Sequence, residues 1–134
     1  MKHFMHALAA ALLMAASPVR ATPAPPDDPQ HTIKDVWVII DGVVKWQHGH
    51  DPINLRLIVM DDGYFYTYDG ANFVLCTYEI TGVNAGKVFV TLAGPGWEAK
   101  GCLNQHTHQF MANWMCHHHS GEFCGRLVYC GGGA

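Results

Sequence analysis

The chain reads as an all-β protein, an antiparallel meander closing into a small barrel and stapled by disulfides at its C-terminal end. Three observations predict this. Short β-branched and aromatic runs alternate with Asp-Gly and glycine-rich turn signals from residue 33 onward. No stretch of ten or more residues between Ile33 and Leu92 carries a 3.6-residue apolar period. Five cysteines stand in a chain that opens like an exported protein, and small exported domains are commonly disulfide-bonded.

The opening, MKHFMHALAAALLMAASPVRA, has a short basic start, an apolar run from Ala7 to Ala16, a Pro18 break and a small Ala21. This is the layout of a secretory signal peptide over residues 1–21, and the run is too short for a bilayer anchor. Residues 22–32 begin TPAPPDDPQH, with four prolines in ten positions, and predict an extended, solvated leader. A single barrel domain is then expected over residues 33–134. Removing 21 of the 134 residues takes two of the eight basic residues and leaves six against eleven acidic ones. A formal charge of about −5 argues against nucleic acid, whose binders need clustered Lys and Arg. No membrane anchor is expected after cleavage, and the expected location is periplasmic or secreted.

Within the domain, VWVII and VVKWQ flank Asp41-Gly42. LRLIVM and YFYTY flank Asp61-Asp62-Gly63, and YFYTY and NFVLCTYEI flank Asp69-Gly70. Glycine accepts positive φ and the primed turn suits strand twist, so each Asp-Gly predicts a hairpin. GVNAG separates TYEI from KVFVTL, and GPGW predicts a loop continuing to Cys102. In NFVLCTYEI, Val74, Cys76, Tyr78 and Ile80 share one face. In QFMANWMC, Met111 and Met115 point one way and Phe110, Trp114 and Cys116 the other, which predicts core packing on both sides.

The run from Trp37 to Leu92 resembles the small secreted lipocalin-like barrels. The features are a tryptophan in the first strand, L-x-L-x-x-x-D-D-G-Y-F, a strand ending T-Y-E-I-T-G, and K-V-F-V-T-L. Asp35 and Val36 precede Trp37, where the family's signature has glycine and one further residue. The resemblance implies a ligand-binding barrel.

Cys76 lies mid-strand and reads as a buried thiol. That leaves Cys102, Cys116, Cys124 and Cys130. Cys124 and Cys130 stand six residues apart in a predicted strand, roughly 20 Å, too far for one bridge. Placing Ser120-Gly121 at a hairpin centre sets Cys116 opposite Cys124, so Cys116–Cys124 with Cys102–Cys130 is the expected pairing.

Seven histidines fall in three clusters, His48-x-His50, His106-x-His108 and His117-His118-His119. In a strand, H-x-H sends both imidazoles to one face, where they can bite one ion. His48, His50, His106 and His108 together would suit zinc or copper. The triple histidine lies by the predicted turn and reads as exposed.

No G-x-S-x-G, H-E-x-x-H, phosphate loop or C-x-x-C pair occurs, and no catalytic residues are assigned. The expected function is an exported binding protein holding a small ligand or a protein partner, without catalysis. The alternative is a histidine-rich zinc or copper protein, or a metal-dependent enzyme, using those four histidines.

Overall fold

The computed structural model describes residues 31–131. The expected signal peptide and the leader before His31 lie outside the described residues. A 3-10 turn, Ile33–Asp35, leads into eight strands: β1 Val36–Trp46, β2 Ile53–Met60, β3 Tyr64–Tyr68, β4 Phe73–Asn84, β5 Lys87–Gly94, β6 Trp97–Asn104, β7 Gln109–Cys116 and β8 His119–Cys130. Each strand pairs antiparallel with the next, and β8 pairs antiparallel with β1, so the sheet is a closed barrel in sequence order. Closure leaves no sheet edge to pair with another chain.

Two of the three Asp-Gly signals are hairpin turns, with Gly63 at φ 95° and Gly70 at φ 102°. At the second, Asp69 accepts the Ala71 and Asn72 amides at 2.9 and 2.8 Å, and these bonds hold its carboxyl below the ordinary range. The third signal is not a turn. β1 runs unbroken through Asp41-Gly42. Asp41 points outward and accepts Arg56 Nε at 2.5 Å and Nη2 at 2.6 Å, which raises the guanidinium's pKa. Gly42 points inward, where a Cβ would overlap the Phe123 ring and the Cys124 carbonyl. Glycine stands here for space, and the chain has no reason to reverse.

GPGW is also tighter than expected. Gly94 pairs with Trp97 across Pro95-Gly96, and residues 97–104 are strand rather than loop.

The last hairpin is centred on His117-His118, with Cys116 opposite His119, not on Ser120-Gly121. That shift undoes the expected Cys116–Cys124 bridge, and the faces of the sheet undo Cys102–Cys130. Cys124 lies opposite Met111, five residues from Cys116, roughly 16 Å along the strand. Cys102 also lies opposite Met111, in the outward row with the exposed Phe89 and Met111, whereas Cys130 is buried with the core residues beside Val38. The described cysteines are not placed to bridge one another, and the C-terminal end is held by sheet pairing.

Inward positions alternate along every strand and build one apolar core from Trp37, Ile40, Leu57, Phe65, Leu92, Phe110, Trp114 and Phe123, among others. Cys76 is in this core, as expected. Met111 and Met115 are not; they face outward at 54% and 61% exposure. Phe110, Trp114 and Phe123 lie over inward glycines, Gly101, Gly121 and Gly42. Large rings over bare backbone fill a barrel this narrow. What remains inside is an apolar cavity of about 40 Å³ between Trp37, Leu57, Phe65, Val88 and Phe110. A smaller apolar cluster, Val36, Ile39, Ile58, Met60 and Tyr66, is buried on the outer face of β1–β3. His31, expected in a solvated leader, is buried beside Tyr66, bonding its hydroxyl at 3.1 Å and Asp62 at 2.9 Å.

Candidate functional site

In an up-and-down barrel successive connections alternate between the two ends. His48 and His50 lie in the first connection, between β1 and β2; His106 and His108 lie in the sixth, between β6 and β7. The two H-x-H units are therefore at opposite ends of the barrel. They cannot share an ion, and the four-histidine site falls. Among the described residues no three His, Cys, Asp or Glu side chains converge as a metal site.

The seventh connection shares its end with the first, and this brings the triple histidine to His48 and His50. Five histidines thus ring one mouth. Trp46, the last residue of β1, organises it. Its ring centroid is 4.7 Å from Trp114 in an edge-to-face contact, 4.8 Å from His50 and 5.9 Å from His119. The His50 and His119 rings are 5.5 Å apart at 76°. The pairing of Trp46 with Gly121 and of Trp114 with the same Gly121 sets both indoles facing inward over bare backbone. Both indole N–H groups are buried without a hydrogen-bond partner among the described residues. Such groups cost free energy, and water or a ligand acceptor at the mouth would relieve it.

The loop is tied to the hairpin as well. The Gln47 amide donates to the Ser120 carbonyl at 2.9 Å, and the Ser120 hydroxyl bonds the Gln47 side-chain carbonyl. Two open depressions flank the rings. One, of about 680 Å³, lies between Trp97, Met115, Cys116 and His117–His119. The other, of about 370 Å³, lies between Lys45, Trp46, Trp114 and Glu122. Aromatic rings, an exposed thioether and imidazoles on an open surface are the composition of a contact patch.

His106 sits over Gly86 at the other end, and His108 adopts φ 63° in the turn, where the Asn104 side chain accepts the His106 and Thr107 amides. These residues build a turn. Strand count brings these histidines together, because odd-numbered connections of a closed meander share an end.

No family model matches the chain, and neither does any curated protein or solved structure.

Proposed function

We propose that this chain is a small exported binding protein that recognises a protein partner with its histidine- and tryptophan-rich mouth, and performs no catalysis. One observation carries the reading. The interior is filled to a remnant of about 40 Å³, against roughly 300–1,000 Å³ for a small-molecule site, while aromatic and imidazole groups collect at one open end. Recognition then belongs to the surface. Trp46, backed by the edge-to-face ring of the buried Trp114, offers a rigid anchor, and His117–His119 offer adaptable polar contacts around it. The lipocalin-like resemblance is retained at the level of a secreted binding barrel, with its interior ligand replaced by a partner at the rim.

A photo-cross-linking amino acid placed at His118, in the exporting host, tests this. The reading expects one cross-linked product of defined mass, lost on Trp46→Ala, and none from the same group at His106. Equal labelling from both positions would refute it.

A second reading is favoured by the His50–His119 pair. Two imidazoles within reach of one another suit a divalent zinc or copper ion, with water completing the coordination. With two protein ligands such binding is exchangeable rather than structural.

A further inference from the structure

The outer wall carries a second organised surface, on the side formed by β5 to β8 and β1. Register alone sets it out. Phe89 lies opposite Cys102, Cys102 opposite Met111, Met111 opposite Cys124, and Cys124 opposite Val43. Cross-strand partners share a face, so these five residues make one outward row across five adjacent strands. Phe89 is 40% exposed and Met111 54%. Polar rows flank it two residues away on either side. On one side Gln109 faces Arg126 and Arg126 faces Asp41; on the other Asn113 faces Glu122 and Glu122 faces Lys45. An apolar strip between polar rims is the anatomy of an interface.

The charges identify the occupant. Read from β8 to β1, one rim runs plus, minus (Arg126, Asp41) and the other minus, plus (Glu122, Lys45). A two-fold axis laid along the apolar row turns one rim of a second copy onto the opposite rim of the first. Arg126 then meets Glu122 of the other copy, Asp41 meets Lys45, Gln109 meets Asn113, and each contact occurs twice. A two-fold axis at right angles through the same Cys124, lying along the strands, would instead set Arg126 against Arg126 and Glu122 against Glu122. Glu122, Arg126 and Lys45 are exposed and make no ion pair among the described residues, so their charges are available. Asp41 already holds Arg56, which leaves the Arg126–Glu122 pairs to carry most of the discrimination.

We propose that two copies of this chain pair back to back through this wall, about a two-fold axis running along the Met111–Cys124–Val43 row. A self-complementary patch is what a closed two-fold dimer requires. Two convex walls meet over few strands, less than the roughly 800 Å² per partner of a standard interface, so the dimer is reversible. The histidine mouth stays open in it, because the mouth is at the end of the barrel and the contact is on its side.

Sedimentation velocity of the mature protein, in reducing buffer and low salt, tests the pairing with four chains: wild type, Glu122→Arg, Arg126→Glu, and the double exchange. Far-UV circular dichroism and thermal melting confirm that each is folded. The wild type should dimerise at about 100 μM or below, a weak-interface affinity. Each single reversal should weaken the dimer at least tenfold, because it sets like charges face to face twice. The double exchange should return it to within threefold of wild type. A monomeric wild type at 0.5 mM (roughly the weak limit), single variants that dimerise like wild type, or a double variant no better than the singles would each overturn the proposal.

Discussion

The ring of Phe123, on β8, occupies the volume that a side chain at residue 42, on β1, would fill. The contact closes the barrel seam, because β1 and β8 pair along nine registered positions, including Gly42 with Gly125. It predicts that Gly42→Ala destabilises the fold by about 2–3 kcal/mol through overpacking. Gly82→Ala, where a Cβ meets nothing within 4 Å, should change stability by less than about 0.5 kcal/mol. Urea denaturation of the two variants checks both.

That same contact shows why the chain was only partly legible. The strands of residues 53–94, the inward face of Cys76, Tyr78 and Ile80, and two Asp-Gly turns follow from periodicity and turn chemistry, which are local. Asp41-Gly42 carries an identical local signal for a different reason. Its glycine makes room for a ring that arrives from a strand about eighty residues later, and its aspartate meets Arg56 across the sheet. No window around residue 42 contains either fact. The last hairpin differs similarly: a shift of its centre from Ser120-Gly121 to His117-His118 removes the expected Cys116–Cys124 bridge, because disulfide geometry tolerates no slip in register. Cys102 and Cys130 are kept apart by facing opposite sides of the wall. The five-histidine mouth depends on strand count, a global property, and not on any spacing.

The thiols divide by face. Burial pushes Cys76 and Cys130 up to about 11, while Cys102 and Cys124 lie in the outward row. Since the thiolate is the reactive species, Cys76 and Cys130 should alkylate at least tenfold more slowly than Cys102 and Cys124 in the native protein at pH 8, which peptide mass mapping after timed iodoacetamide treatment would show. These two thiols also bear on alkaline stability. Their folded pKa is above the unfolded value of roughly 8.5, so their contribution is complete below that pH and is lost as pH rises toward 11. The melting temperature should fall across that window, and Cys76→Ala with Cys130→Ala should flatten the fall.

Copper offers a direct reading of the mouth. If His50 and His119 hold an ion, Cu²⁺ bound there lies beside Trp46 and quenches its emission. His50→Ala and His119→Ala should each weaken the quenching titration at least tenfold, the scale of losing a ligand contact. His106→Ala and His108→Ala, at the far end, should leave it unchanged. Fluorescence titration of the four variants separates a mouth site from general histidine binding.

Tyr78 is held differently. Its hydroxyl donates to the Met60 carbonyl at 2.5 Å, and burial raises its pKa. Tyr78→Phe should cost about 1 kcal/mol, the worth of one such bond, with the barrel otherwise intact by circular dichroism.

The central claim is that the barrel is filled and recognition happens at its mouth. Native mass spectrometry of the mature, untagged protein, purified from an exporting host, tests it most directly. The account predicts that no stoichiometric apolar small molecule accompanies the chain, and that added long-chain fatty acid forms no one-to-one complex. A tightly held apolar molecule whose removal shifts the resonances of Val88, Leu103 and Phe110 would show an interior binding cavity and contradict the account.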